Sequence, residues 1–265
     1  MKIRPSNVLR KLRAGEMVNC IKLNLSDPRS AEIAAIIGFD CIWTCQEHTA
    51  LDYSRLEGQI MASKAHDCDL LCRVPRGSYS DYIRPLELDA TGIMVPHIMS
   101  AEDAANVVRM TRFQPVGRRP VDGGNADGKY CMVPFTEYIE QANRERFIVL
   151  QVEDYEAMDE LDEIAALEGY DILFFGPGDF SHSLGIPAQF DDPRIKDARL
   201  KVAEAARKHG KFAGTVGSIA NHQELIAMGY QFINLGADVL AWSNYCKEIL
   251  AAWNKEDSGK SGYYK

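Results

Sequence analysis

Nowhere in the chain do about 18 apolar residues run together, so no segment has the make-up of a membrane-spanning helix. The N-terminus, Met1-Lys2-Ile3-Arg4-Pro5, has no apolar core of the kind a secretory signal needs. Clusters of Lys and Arg are missing as well. The 30 basic residues face 38 acidic ones, for a net charge of −8, which argues against nucleic acid as a partner. The first apolar run leads into Asn24-Leu25-Ser26-Asp27 rather than the glycine-rich G-x-G-x-x-G turn of a dinucleotide-binding sheet. Cysteine lacks pattern rather than number. Cys20, Cys41, Cys45, Cys68, Cys72, Cys131 and Cys246 form an odd set with no zinc-site or C-x-x-C spacing. Several stand inside apolar runs, where a thiol packs as a small hydrophobe. Together these absences point to a reduced, cytoplasmic protein without disulfides, membrane segments or nucleic-acid partners.

What the 265 residues do contain is an alternation. The composition, 46% hydrophobic and 26% charged, is ordinary for a globular protein and sufficient for a sizeable core. Short apolar runs occur at Cys20–Leu25, Cys41–Thr44, Leu70–Val74, Gly92–Val95, Phe147–Val152, Ile172–Phe175, Phe212–Val216 and Phe232–Leu235. Such runs fit strands buried on both faces, as in a parallel sheet. Between them lie helix-like segments, among them Ser30–Ile37, Asp192–His209, Ser218–Met228 and Val239–Trp253. Gly38, Gly169 and Gly229 each stand just before a new run, where a glycine ends a helix. Eight runs in strict alternation predict a (β/α)8 barrel, with residues 1–265 as a single domain; an open doubly wound sheet is the alternative. The segment Thr111–Gln141, punctuated by glycine and proline, reads as a long loop over the barrel mouth. Residues 254–265 are polar and read as a loose tail.

In such a barrel the C-terminal ends of the strands share one rim, where active sites are built. The residues falling there are Lys22 and Asn24; Cys45, Glu47 and His48; Arg73; Pro96 and His97; Gln151 and Glu153; Asp179; Thr215; and Asp238. Glu153 and Asp179 stand out because each follows a run too apolar for the surface. Two carboxylates on one rim suit a hard divalent cation, or each caps the turn beside it. Arg73 suits two-point binding of a carboxylate, or a structural ion pair. His48 suits proton transfer, or a hydrogen-bonded rim role, while His97 reads more readily as structural. Lys22, a charge within Ile21-Lys22-Leu23, has to face the pore or a partner acid. A Schiff-base lysine is a further alternative there.

Taken in order, several of these phrases resemble the HpcH/HpaI family of class II, metal-dependent aldolases, which act on 2-keto-3-deoxy acids. They are Gly38-Phe39-Asp40 with Glu47-His48; Arg73; Gly92-Ile93-Met94-Val95-Pro96; Thr111-Arg112-Phe113 with Gly117-Arg118-Arg119; Gln151-Val152-Glu153; and Gly176-Pro177-Gly178-Asp179-Phe180-Ser181. The resemblance implies a TIM barrel whose last helix is swapped between neighbours in a homo-oligomer, a hexamer or a trimer. It implies that Glu153 and Asp179 bind Mg²⁺ or Mn²⁺, with Co²⁺ a further candidate, alongside a pyruvate-like 2-keto acid. Gln151 would orient that ligand shell. Arg73 would contact the keto or enolate oxygen, and backbone N–H groups at Gly178-Asp179 the carboxylate. His48 would be the acid/base group acting toward an aldehyde partner.

The chain departs from the family pattern at several places. Where the family has Asp-x-Glu-His, this chain has Cys45-Gln46-Glu47-His48, so the imidazole loses its orienting carboxylate unless Glu47 or another acid replaces it. The rim acid found one strand later corresponds to Glu87 or Asp89. Lys22 stands where an aromatic or small polar residue is usual, and its charge suits a distal substrate carboxylate. Gly117-Arg118-Arg119-Pro120 replaces Gly-x-Arg-Gly. The expected function is that of a metal-dependent lyase working on a 4-hydroxy-2-keto acid through a pyruvate enolate. The alternatives are an oxaloacetate-type decarboxylase on the same metal site and a non-catalytic 2-keto-acid binder.

Overall fold

The computed structural model describes residues 1–255, so the expected tail lies, from residue 256 on, outside the described residues. Strands β1 (Val18–Lys22), β2 (Cys41–Cys45), β3 (Asp69–Arg73), β4 (Gly92–Val95), β5 (Phe147–Val152), β6 (Ile172–Phe175), β7 (Phe212–Val216) and β8 (Tyr230–Ala237) close in sequence order into a parallel barrel. The helices are α1 (Asn7–Arg13), α2 (Pro28–Ile37), α3 (Tyr53–Ala65), α4 (Tyr79–Glu87), α5 (Ala101–Thr111) and α6 (Phe135–Glu145). They continue with α7 (Leu161–Ala166), α8 (Pro177–Ser183), α9 (Pro193–Lys208), α10 (His222–Met228) and α11 (Asp238–Lys255). Four of the expected strands coincide with the observed ones. The first is displaced: its ladder to β8 begins at Val18 against Phe232, before the apolar run reads as continuous.

Successive residues of a strand point to opposite faces, and the burial follows that period. Cys20, Trp43, Leu71, Val149, Phe174 and Phe232 share one cluster inside the barrel. Their strand neighbours Ile42, Leu70, Leu150 and Phe175 belong to a second cluster beneath the helices. This double burial is why the runs read as continuously apolar. Gly38, Gly169 and Gly229 have φ of 104°, 97° and 106°, the left-handed turn expected of them before a strand.

Helix α1, which the alternation does not announce, closes the N-terminal end. Its Val8, Leu9 and Leu12 join the interior cluster. Ser6 caps it by accepting from the Leu9 N–H. The Ser6 hydroxyl also donates to Asp69 at 2.6 Å, which ties the helix start to the beginning of β3.

Two expectations are corrected at this same end. The irregular stretch between α5 and α6 does not cover the mouth. Helix α5 carries the chain away from the rim of β4, and the stretch precedes the start of β5, so it packs on the barrel floor. There Arg119 pairs with Asp127 at 2.8 Å, and the Tyr138 hydroxyl donates to the same carboxylate. For the same reason neither Glu87 nor Asp89 reaches the rim. Glu87 ends α4, and Asp89 lies between that end and the start of β4. Asp89 is buried in a floor network with Arg146, Lys64 and Lys129.

Helix α11 keeps Leu240, Trp242, Tyr245, Ile249, Leu250 and Trp253 exposed. Helix α2 likewise exposes Ile33, Ile36 and Ile37. Among the described residues, no helix is long and apolar enough to cross a membrane.

Candidate active site

Strand parity decides which side chains reach the mouth. Lys22 continues the inward positions of Cys20, Cys45 those of Trp43, Arg73 those of Leu71, and Gln151 those of Val149. The apolar interior therefore ends in a polar layer at the C-terminal end. In the ladder Lys22 stands beside Trp43, and Cys45 beside Arg73.

Arg73 is buried and braced on several sides. Its Nε donates to Cys45 Sγ at 3.3 Å and its Nη2 at 3.4 Å. The His48 backbone N–H donates to the same sulfur at 3.4 Å. Glu47 Oε2 lies 2.9 Å from Arg73 Nε, yet that proton is directed at the thiol, leaving the carboxylate oxygen without a hydrogen bond. The guanidinium also stands 5.0 Å from the centroid of the Trp43 ring. Lys22 Nζ lies at the same 5.0 Å from that ring. Burial, and after it the Arg73 charge, push the Lys22 ammonium below its ordinary pKa, against the opposing pull of Cys45, Glu47 and Asp179.

Glu153 lies one residue beyond β5 and is buried. Its Oε1 accepts from the His97 backbone N–H at 3.1 Å, and its Oε2 accepts from the Gln151 side-chain amide. Burial pushes its pKa up to about 8, although the His97 and Arg73 charges oppose the shift. Asp179 sits in the first turn of α8, exposed, and its charge acts on both Glu153 and Lys22. Gly176 makes the approach possible, since a Cβ there would stand 2.7 Å from Glu153 Oε2 and 2.8 Å from the Gln151 amide nitrogen. Gly178 follows in the same first turn, whose N–H groups have no partner within the helix.

The capping alternative for the two acids falls. Gly176 holds the N-cap of α8, with Asp179 inside the helix. Asp154 holds that position before the short 3₁₀ turn Tyr155–Met158 and makes no side-chain cap bond.

His48 remains at the mouth with 53% of its side chain exposed, its Nε2 3.4 Å from Glu47 Oε2. Glu47 is thus the acid nearest the place of the missing aspartate, and it is shared with Arg73. Sequence reasoning set His97 aside, but the structure brings it into the site. It has φ of 53°, and its Nδ1 lies 2.9 Å from Asp154 Oδ2. Its Nε2 lies 3.5 Å from Glu47 Oε1 and 3.8 Å from Glu153 Oε1. Burial lowers its pKa, but the Asp154 bond and the surrounding carboxylates outweigh it and leave the ring more basic than usual. The available signal was the second acid, Asp154, directly after Glu153. Other rim residues are structural. Asp238 accepts from the N–H groups of Asn24 and Leu25 at 2.8 and 3.0 Å, and Thr215 donates to the Phe175 carbonyl.

The donor set fits a hard divalent cation. Glu153 is a buried carboxylate held by an amide and a peptide N–H, and Gln151 Oε1 is buried with no partner at all. Among the described residues, no group of three or more His, Cys, Asp or Glu side chains is arranged around one metal. A pair of carboxylates is nevertheless what Mg²⁺-type ions take from proteins when substrate and water complete the shell.

Comparison with known proteins agrees with this arrangement. The model of the HpcH/HpaI aldolase/citrate lyase family matches residues 21–244. The chain is 30% identical over 232 residues to a 5-keto-4-deoxy-D-glucarate aldolase of Klebsiella pneumoniae, covering 87% of this chain and 90% of that one. It is 33% identical over 220 residues to a 4-hydroxy-2-oxovalerate aldolase of Rhodococcus jostii, covering 82% and 83%. The crystal structure of an HpcH/HpaI aldolase from Desulfitobacterium hafniense superposes with a TM-score of 0.89 at 30% identity, covering 96% of this chain and 98% of the other. With the closed barrel, the paired acids and this match over most of its length, the chain belongs to the HpcH/HpaI aldolase/citrate lyase family.

Proposed function

We propose that this protein is a carbon–carbon lyase that cleaves, or in reverse forms, the C3–C4 bond of a 4-hydroxy-2-keto acid through a pyruvate enolate. The observation that carries the reading is the buried Glu153, held by uncharged donors at the end of β5, with Asp179 following the neighbouring strand β6 and Arg73 ending β3 on the same rim. Glu153 and Asp179 would hold Mg²⁺, Mn²⁺ or Co²⁺, which would supply a Lewis acid for the 2-keto acid end of the substrate. Arg73 donates to the C2 oxygen as it gains charge, already oriented by Glu47, Cys45 and Trp43. Gln151 holds Glu153 in place. The first-turn N–H groups of α8 at Gly178 receive the C1 carboxylate. His48 takes the proton from the C4 hydroxyl. The two relatives' substrates share the 2-keto acid end and differ at the far end, a carboxylate in the glucarate derivative and a methyl in the oxovalerate.

The test is pyruvate release from 4-hydroxy-2-oxoglutarate and 4-hydroxy-2-oxopentanoate with Mg²⁺ or Mn²⁺ present. EDTA is expected to lower the rate by at least ~100-fold, and added metal to restore it. Cleavage that resists EDTA, with borohydride trapping the keto acid on Lys22, would sink the proposal. A second reading, decarboxylation of oxaloacetate, draws support from Cys45, which leaves His48 exposed and without a hydrogen-bonded carboxylate. That reaction needs the enolate charge stabilised but no hydroxyl deprotonated. His48→Gln should therefore lower retro-aldol cleavage ~100-fold while changing oxaloacetate decarboxylation less than ~3-fold.

We further propose that the protein is a homo-oligomer in which a second copy covers the apolar side chains of α11. Light scattering is expected to give a multiple of the chain mass, and Trp242→Asp to reduce it. A wild-type monomer at micromolar concentration would show that the helix stays uncovered.

A further inference from the structure

We infer that Lys22 selects a substrate whose far end carries a carboxylate, holding that group by its ammonium beside the Trp43 ring. The inference rests on the reading of the mouth as a 2-keto-acid site and concerns the part of the substrate that the proposed reaction leaves open.

Lys22 ends β1, half-buried, with Nζ 5.0 Å from the Trp43 centroid. Arg73 stands at the same distance from the same ring. The two cations therefore crowd one indole, a costly arrangement in a partly desolvated site. Arg73 has an answering acid in Glu47, 2.9 Å away. Lys22 has no carboxylate at ion-pair distance among the described residues. The nearby Asp179 is assigned to the metal, and Glu47 to Arg73. The Trp43 ring itself is only 3% exposed and fixed in the barrel interior, so it presents a rigid face to the ammonium above it. The indole N–H lies in the apolar layer beneath the mouth, but the ammonium one layer above it is partly open and has no acidic partner among the described residues. A negatively charged ligand group with free acceptors is what satisfies it.

The spacing admits such a substrate. Lys22 on β1 and Arg73 on β3 flank β2, so their strands stand two inter-strand spacings apart, about 10 Å. A short diacid can place its 2-keto end at Arg73 and its other carboxylate toward Lys22. For 4-hydroxy-2-oxoglutarate the chemistry balances without a further reactant. The C3–C4 bond breaks and its electrons form the enolate. The C4 hydroxyl loses its proton and becomes the aldehyde of glyoxylate, and C3 takes up a proton to give pyruvate. Lys22 stays protonated throughout, paired with the carboxylate that leaves in glyoxylate.

Two substrates isolate this contact, because 4-hydroxy-2-oxoglutarate and 4-hydroxy-2-oxopentanoate differ only in a terminal carboxylate against a methyl. The metal-loaded wild type should prefer the diacid by at least ~30-fold in kcat/KM, and Lys22→Gln should bring that ratio toward ~1 through KM on the diacid. A binding measurement needs no turnover. Calorimetry with 2-oxoglutarate and 2-oxopentanoate, which lack the 4-hydroxyl, should show the diacid bound at least ~10-fold tighter by the Mn²⁺-loaded wild type, with the difference lost in Lys22→Gln and largely kept in Lys22→Arg. If neither hydroxy acid is cleaved but this binding preference is present and vanishes in Lys22→Gln, the inference stands and the aldolase reading falls. If cleavage occurs while the wild type shows no diacid preference, or Lys22→Gln weakens both ligands alike, the inference is overturned and the aldolase reading survives. A pyruvate adduct trapped on Lys22 by borohydride overturns the inference, and absence of any 2-keto-acid binding overturns both.

Discussion

Glu153→Gln is expected to abolish metal-dependent turnover, by at least ~10³-fold in kcat, and at the same time to stabilise the metal-free protein at alkaline pH. The two effects share a cause. Burial pushes the Glu153 pKa up to about 8 in the folded chain, whereas an unfolded glutamate titrates near ~4.3. Between those values the folded protein binds the proton that the unfolded chain releases. Stability of the metal-free protein therefore falls as pH rises across this window, by on the order of 3–5 kcal/mol for this group alone. Glutamine has no charge to desolvate. It keeps an oxygen for the His97 N–H, and its amide can donate to Gln151 once that side chain turns its unpartnered Oε1 inward. A divalent cation relieves wild type in another way, by taking the place of the proton, so metal binding should strengthen with pH. Thermal melts of metal-free protein at pH ~4 and ~8.5 check the sign: the variant should come close to wild type at the lower value and exceed it by several degrees at the higher. Mn²⁺ should raise the wild-type midpoint at pH ~8.5 and leave the variant unmoved. A metal-free wild type that gains on the variant as pH rises would overturn the assignment of Glu153 as a buried, metal-hungry carboxylate.

That carboxylate was legible because its strand is so apolar. Phe147–Val152 is buried on both faces, and so is recognisable from hydrophobicity alone; what stops such a run must lie at one end of the barrel. The same argument found Asp179 and Arg73. It misplaced Glu87 and the stretch after Thr111 because hydrophobicity does not say which end a loop occupies. Counting does: a segment that follows a helix and precedes a strand lies on the floor, and both segments satisfy that count. Helix α1 escaped notice because seven residues carry little periodic signal, though Ser6 ahead of Val8, Leu9 and Leu12 is a capped apolar face. His97 escaped because a lone histidine after Pro96 has no chemistry until Asp154 and Glu47 approach it from two other strands. The bare face of α11 has a similar origin. Its sequence is apolar enough for burial, but among the described residues nothing covers it.

Arg73→Lys is expected to lower kcat/KM for retro-aldol cleavage by ~10²–10³-fold while leaving the fold intact. Lysine keeps the positive charge, so Glu47 is not abandoned in a buried site, which removal of the cation altogether would do at a cost of several kcal/mol. What lysine cannot keep is the geometry. The guanidinium directs Nε and Nη2 to Cys45 Sγ, lies 2.9 Å from Glu47 through Nε, and stands over the Trp43 ring. With those edges occupied, the remaining N–H groups are held for the C2 oxygen, and no reorganisation is needed as charge develops there. An ammonium on a flexible stem can pair with Glu47 or turn toward the substrate, but it cannot do both from a fixed position. The loss should fall mainly on kcat, since the charge on C2 oxygen grows between bound substrate and transition state. Oxaloacetate decarboxylation builds the same enolate charge and should fall by a similar factor. That shared loss separates Arg73 from His48, whose removal affects only the reaction with a hydroxyl proton to move. Melting curves of Arg73→Lys within a few degrees of wild type, together with the drop in both reactions, would place the effect in the guanidinium's aim. Retention of more than about a third of wild-type kcat in either reaction would show that charge alone suffices, and that the brace formed by Cys45, Glu47 and Trp43 serves packing rather than catalysis.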